Sequence, residues 1–289
     1  MAQNNQSRLY IVIPVINCFE MTVEAINSIK TPCTVILIDN ASDDGTQQWG
    51  KDNDGKDIGD GKNLIYIRNN DRKGVAESWN WGIKRAFEDE ECQYVGVLNN
   101  DVVLHPKTLP HLMAFIDKTN YLMVTADNIK DRMSKETMLM MELPEPFTDY
   151  DCNKITDWRA EGPDFSCFLI TRKTIEVIGW FDENFHGAYC EDQDFHARCQ
   201  RARVWAEQYN DQNIKPEYIH FKRLSTAPFF HYASQTIAQN TKLRVEISVS
   251  HRNNQNYYLE KWGFDHPEVM DGQGNIQPFG NAEKNWRMW

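Results

Sequence analysis

The stretch Tyr94-Val-Gly-Val-Leu98, ending in Asn99-Asn100-Asp101, decides the fold. Five apolar residues stop abruptly at three polar ones, which reads as a short strand buried on both faces. Working back along the chain, residues 74–88 place Val75, Trp79, Ile83 and Phe87 on one helical face. Before them, Asn63-Leu-Ile-Tyr-Ile67, Thr34-Val-Ile-Leu-Ile38 and Leu9-Tyr-Ile-Val-Ile-Pro14 repeat the strand pattern. A helix over 20–30, with Met21, Ala25, Ile26 and Ile29 at helical spacing, separates the first two. This alternation predicts a doubly wound, parallel α/β sheet. Ligands of such sheets bind beyond the carboxyl ends of strands, where Asp39 and Asp101 both fall.

Beyond residue 101 the pattern loosens. A helix is expected over 105–118, a strand over 121–125, a long loop over 142–164 and a strand over 165–172. A short helix over 173–178 should stop at Gly179, and residues 191–203 and 237–262 read as helices. The Asp/Gly/Lys-rich stretch 50–62 reads as a surface loop. It lacks a glycine at the sixth position from Asp52, so it is no EF-hand. No GxGxxG, P-loop, HExxH or GxSxG motif occurs.

Composition narrows the class. Hydrophobic residues at 41% and charged residues at 25% fit a globular protein. No run of 18 apolar residues exists to span a bilayer, and the first eight residues lack a signal-peptide layout. Seven cysteines, an odd number without CxxC spacing, predict reduced thiols in the cytoplasm. The net charge of −11 is uneven: residues 1–195 carry −14, residues 196–261 carry +5. The acidic front disfavours wrapping bulk nucleic acid, while the basic back leaves room for a phosphate-bearing partner.

Four features carry chemistry. Asp39, followed by Ser42, Asp43 and Gly45-Thr46, can accept from a base N–H or a ribose hydroxyl; it is equally an Asx-capped turn. Asp101 at a strand end can bind a hard divalent cation that bridges a diphosphate; alone, Asn99-Asn100-Asp101 is equally a turn. Glu191-Asp192-x-Asp194 places carboxylates at a helix mouth, where one can serve as general base or cap the helix. His231, in Phe229-Phe230-His231-Tyr232, is either a satisfied core histidine or the completion of a metal site with Asp101.

Taken in order, these segments resemble the family 2 glycosyltransferases of the GT-A fold, especially the rhamnosyltransferase-like branch. The resemblance covers roughly residues 8–262 and rests on Ile11-Val-Ile-Pro14, Val35-Ile-Leu-Ile-Asp-Asn-Ala-Ser-Asp-Asp-Gly-Thr46, residues 69–82 and Val97-Leu-Asn-Asn-Asp-Val102. It continues through Phe168-Leu-Ile-Thr-Arg172, Ile178-Gly-Trp-Phe-Asp-Glu-Asn-Phe185 and Glu191-Asp-Gln-Asp-Phe-His-Ala-Arg198. It implies a Rossmann-like, mostly parallel sheet flanked by helices, with a helical C-terminal extension over 237–289. The catalytic domain would be 1–236, split into a nucleotide-binding half (1–101) and an acceptor-binding half (102–236).

The resemblance also implies roles. Pro14 and Val15 would flank the base, Asp39 would meet base or ribose, and Arg68 with the loop to Gly74 would line the nucleotide pocket. Asn99, Asn100 and Asp101 stand where the family's DxD lies, with Asp101 facing Mn²⁺ or Mg²⁺ and His231 joining it. Asp192 would be the base of an inverting displacement, and Glu191 would position the acceptor. Asn99 replaces the first DxD aspartate, which lowers the local negative charge, and Ser166-Cys167 replace glycine-type residues. The donor would be a UDP-, dTDP- or GDP-sugar, and the acceptor a saccharide or glycolipid, with the enzyme cytoplasmic or peripheral to a membrane. The alternatives are a polyanionic acceptor such as a hydroxylated base in DNA, and a non-catalytic nucleotide-sugar-binding module.

Overall fold

The computed structural model describes residues 8–119, 121–146, 163–199, 221–233 and 241–262. Strands β1 (Leu9–Val15), β2 (Cys33–Asn40), β3 (Lys62–Asn69) and β4 (Tyr94–Leu98) pair in parallel in the order β3-β2-β1-β4. Their side chains alternate between two cores, as a period of two requires. Val12, Ile36 and Ile38 face one core; Ile11, Ile13, Val35 and Leu37 face the other. Helix α3 (Val75–Phe87) covers the first through Trp79 and Ile83. Helices α1 (Phe19–Ser28) and α4 (Thr108–Lys118) cover the second through Ile26, Leu112 and Phe115. Gly82 lets α3 lie flush on β1, since a Cβ there would sit 2.2 Å from Val12 Cγ1.

The sheet departs from an all-parallel one. After β4 it continues through β7 (Cys167–Ile170), β6 (Met123–Asn128), β8 (Phe221–His231) and β5 (Val102–Leu104). Strand β7 runs antiparallel to both its neighbours, and β5 runs antiparallel to β8. Strands β5 and β8 and helix α5 (Lys135–Leu139) lie outside the sequence expectation. So does helix α2 (Thr46–Asn53), which occupies the start of the stretch read as a surface loop. Helix α6 (Arg172–Ile178) opens on a Thr171–Thr174 capping box and closes at Gly179, φ 90°, as anticipated. The middle of the expected 142–164 loop, the ends of the expected helices at 200–203 and 237–240, and the tail after 262 fall outside the described residues. Among the described residues no helix is long and apolar enough to cross a membrane.

Residues 191–199 form helix α7, and Thr241–Trp262 form helix α8. The two are joined by a buried ion network. Lys261 Nζ lies 2.7 Å from both Asp182 Oδ2 and Asp194 Oδ1. Arg198 Nε reaches Asp194 Oδ2 at 2.9 Å, and Tyr257 donates to Asp182 and Trp262 to Asp194 at the same distance. Burial opposes an ionised Asp182, yet the Lys261 ammonium and the surrounding donors hold its carboxyl below the usual carboxylate range. Removing one partner of such a network leaves a buried charge uncompensated. Lys261→Met is therefore expected to lower unfolding free energy by about 3–5 kcal/mol, measured by urea denaturation.

Candidate active site

The carboxyl ends of β1 and β4 open onto a cavity of about 570 Å³. One wall is Pro14-Val15-Ile16 with Asn40, and the floor includes Asn99, Asn100 and Asp101. Arg72, Lys73 and Gly74, from the β3–α3 loop, form a cationic rim. Glu191 and Asp192, at the start of α7, lie on the facing element, and Leu243, Glu246 and Ser250 of α8 complete the enclosure. The fold thus brings together Pro14, Val15, Gly74, Asn99, Asn100, Asp101, Glu191, Asp192 and His231.

The β5–β8 ladder explains how His231 reaches a residue 130 positions away. Val102 pairs with His231, and the Tyr232 N–H donates to the Asp101 carbonyl at 2.9 Å. His231 Nε2 then lies 3.0 Å from Asp101 Oδ1, with Asp101 only 5% exposed. Tyr232 anchors the strand end: its hydroxyl donates to Glu24 at 2.9 Å and accepts from Lys135 at 2.7 Å. Asn100 turns its amide away, to the Asn17 carbonyl and Thr22 Oγ1 at 3.3 and 3.1 Å, and so braces α1. The Asn99 N–H donates to the Ser166 carbonyl at 2.9 Å, which fixes the mouth of β4 against the approach to β7.

Asp39 and Arg68 are not among the residues that line this cavity. Asp39 is fully buried and accepts from the Ser42 N–H at 2.8 Å, the Tyr66 hydroxyl at 2.6 Å and the Arg68 guanidinium. Arg68 also donates to the Ser42 carbonyl at 3.0 Å, so the pair braces the turn after β2. Between that turn and the cavity runs an amide relay. Asn69 donates to Asn40 at 2.7 Å, and Asn40 donates to Ser78 on α3 at 3.0 Å.

The acidic pair is electrostatically tuned. Burial, and secondarily the Asp192 charge, hold the Glu191 carboxyl well above the usual range. Its Oε2 is buried without a hydrogen-bond partner among the described residues. Burial also raises Asp192, while the Gln193 N–H, donating at 2.8 Å, offsets part of the effect and Asp164 adds to it. One turn on, burial brings His196 down to about 4. Among the described residues no three His, Cys, Asp or Glu cluster as a metal cage. Asp101 with His231 nevertheless suits a nucleotide-bridging Mn²⁺ or Mg²⁺, which needs one or two protein donors beside phosphate oxygens and water.

Arg223, part of the basic back segment but not singled out as a site residue, lines the cavity. It comes from the unanticipated β8 and pairs with Asp127 at 2.8 Å. Tyr189, at the mouth, packs against His251 with ring centroids 4.7 Å apart. Its sequence neighbourhood, Gly187-Ala-Tyr-Cys190 before two acids, was the available signal.

A mostly parallel sheet with carboxylates at its carboxyl edge, bordering a cavity of this size, fits an architecture of the GT-A class. The chain belongs to glycosyl transferase family 2, whose family profile matches residues 10–179. It is similar to the low-salt glycan biosynthesis hexosyltransferase Agl10 of Haloferax volcanii, 24% identical over 181 residues, 58% of this chain. The chain spans about half, 52%, of that curated relative. Among solved structures it resembles a mannosyltransferase, PcManGT, from Pyrobaculum calidifontis, in complex with GDP-Man and Mn²⁺ (TM-score 0.54, 15% identity, 86% of this chain and 64% of that one). It also resembles S. aureus TarS 1-349 (TM-score 0.50, 16% identity, 88% and 70%). Glu191, Asp192 and His231 lie beyond the family-matched residues.

The raised Glu191 carboxyl has a consequence for stability. Its folded pKa exceeds its unfolded one, so the folded state binds more protons and this group's contribution falls as pH rises between the two. Glu191→Gln mimics the neutral acid, so thermal unfolding at pH 7 should show a stabilised variant whose stability depends less on pH above the usual carboxylate value of about 4.

Proposed function

We propose that this chain is an inverting glycosyltransferase that moves a sugar from a nucleoside-diphosphate sugar to an acceptor hydroxyl, with Asp192 as general base. The observation that carries the reading is one cavity shared by Asp192, the Asp101–His231 pair and the Arg72-Lys73 rim. A cationic rim suits the donor's diphosphate, and the apolar edge Pro14-Val15-Ile16 suits its base. Asp39 and Arg68 would act from behind the wall, by shaping the turn that borders the base. PcManGT, described in complex with GDP-Man and Mn²⁺, and the hexosyltransferase Agl10 of glycan biosynthesis support a hexosyl donor and a saccharide or glycolipid acceptor.

In the proposed displacement the acceptor oxygen forms a bond to the anomeric carbon from the face opposite the diphosphate. The bond to the diphosphate oxygen breaks with its electron pair, and the acceptor proton passes to an oxygen of Asp192. A carboxylate whose pKa lies above the ordinary range is a stronger base, better matched to that proton. Burial favours the neutral form of Glu191 more strongly than that of Asp192, so Asp192 is the more readily ionised of the pair, and Glu191 can hold an acceptor hydroxyl. Asp101 and His231 would hold the divalent ion, which when bound neutralises charge on the departing diphosphate.

Asp192→Asn should lower kcat by about 10²–10⁴-fold while leaving donor binding intact, checked by nucleoside-diphosphate release and calorimetry. Near-normal turnover would sink the assignment. Because burial raises Asp192, the acid limb of kcat/KM should lie above the usual carboxylate value of about 4, with activity lost as pH falls through it.

Asp101→Ala tests the metal role separately. Donor affinity should depend on Mn²⁺ in the unmodified protein and lose that dependence in the variant, as titrations with and without chelator will read. Equal affinity under all four conditions removes the ion from the proposal.

A further inference from the structure

We infer that Asn254, on α8, is a positioning residue for the base: it fixes the loop 186–190 that carries Glu191 and Asp192 to the cavity. The inference rests on the proposed role of Asp192. The contacts of Asn254 itself all lie outside the family-matched residues 10–179.

Asn254 is 2% exposed and spends its whole amide on this loop. Its Oδ1 accepts from the His186 N–H at 3.1 Å. Its Nδ2 donates to the carbonyls of His186, Ala188 and Tyr189 at 2.9, 3.2 and 2.9 Å. Three acceptors converge on two hydrogens, so at least one hydrogen is shared. Along this loop the backbone leaves the extended and right-handed regions. Gly187, Tyr189 and Cys190 do so, with φ of 72°, 78° and 76°. Glycine takes that conformation freely, whereas tyrosine and cysteine do not. Such outliers persist only where the surroundings over-determine them, and they cluster at functional sites.

The strained residues feed straight into α7. The Cys190 carbonyl accepts from the Asp194 N–H at 2.9 Å and thereby starts the helix whose second residue is Asp192. If the peptide planes at 189 and 190 relax, the origin of α7 moves and the Asp192 carboxylate moves with it. On the other side, the Gly187 carbonyl accepts from the Val75 N–H at 2.8 Å. Ser250 closes against Gly187, where a Cβ would lie 2.8 Å from its Oγ. The loop is therefore clamped between α3 and α8, and Asn254 is the side chain that sets its conformation.

The test uses the full chain. From a panel of UDP-, dTDP- and GDP-hexoses, the donor that supports nucleoside-diphosphate release with Mn²⁺ is chosen first. Asn254→Leu keeps the size and removes every bond, Asn254→Asp keeps the acceptor alone, and Asn254→Ser keeps one donor and one acceptor. Folding is followed by circular dichroism, and if Asn254→Leu does not fold, Asn254→Ser carries the comparison. We expect kcat to fall about 10²-fold in Asn254→Leu, and less in Asn254→Ser, with donor KM unchanged within about threefold. Val124→Ala, in the core of β6, should lower Tm with kcat unchanged. Folded Asn254 variants with full kcat overturn the inference, as does a parallel loss of kcat and donor affinity. Asp192→Asn is measured beside them. If it is inactive while the Asn254 variants turn over, the positioning role alone fails; if it turns over normally, the base assignment fails and the positioning role with it.

Discussion

An ammonium held between two buried carboxylates, Lys261 between Asp182 and Asp194, is the constraint on which the arrangement of this site depends. Such charges leave water at a cost of several kcal/mol each, which is recovered only with near-complete hydrogen bonding. Here Asn184, Tyr257, Trp262 and Arg198 supply the remaining donors. Two acids and two bases, Asp182, Asp194, Lys261 and Arg198, leave the cluster neutral, and each acid sits on a segment bordering the cavity. Asp182 precedes the 186–190 loop, and Asp194 follows Asp192 by two residues. The network therefore ties the C-terminal helix to both ends of the segment that presents Glu191 and Asp192. Apolar packing alone would hold α8 with less directional preference, since Leu243, Tyr258 and Trp262 tolerate small shifts that a shared ammonium does not.

The cavity has a matching division of charge. Arg72 and Lys73 border it from the β3–α3 loop, while Glu191 and Asp192 border it from α7. Arg72 also reaches across to Glu246 of α8 at 2.9 Å, so the rim and the C-terminal helix meet in one exposed ion pair. Exposed pairs contribute about 0–1 kcal/mol and are screened by salt, so this contact is easily exchanged for a phosphate. The acids differ in the opposite sense. Enclosure in protein raises both, Glu191 well above its usual range, so two neighbouring carboxyl groups need not both be charged.

Strands β1 to β4 and helix α3 were legible in the sequence because local pattern and final burial agree there. Runs such as Val35 to Ile38 are apolar without interruption because both faces of the sheet are covered. Strands β5 and β8 were not legible: Val102–Leu104 is three residues long, and Phe221–His231 contains Lys222, Arg223, Ser225 and Pro228. What makes them strands is their pairing with each other and with β6, a non-local fact no window of sequence contains. The antiparallel direction of β7 is hidden for the same reason. Helix α2 was not legible because Thr46, Gly50, Asp52 and Asn53 are poor helix formers. Gly50 is there for packing: a Cβ would lie 2.3 Å from the Tyr66 ring, the same ring whose hydroxyl holds Asp39.

The candidate site was legible as residue types and only partly as geometry. Asp101 and His231 were paired in the sequence reading through a resemblance, and the β5–β8 ladder supplies the physical means. Asp39, a carboxylate at a strand end, is tied to its own turn in the structure. The Ser42 N–H, Tyr66 and Arg68 donate to it and so stiffen the turn after β2, a contribution the residue type alone does not show. Asn254 is the converse case. An asparagine in the middle of a polar helical stretch, Arg252-Asn-Asn-Gln-Asn256, carries no signal of its own. It acquires a role only because the opposite loop turns three carbonyls toward it. Backbone conformation is the least legible layer here, since Tyr189 and Cys190 lie in a region that their side chains disfavour. A strained loop of this kind can be read only from the structure that holds it.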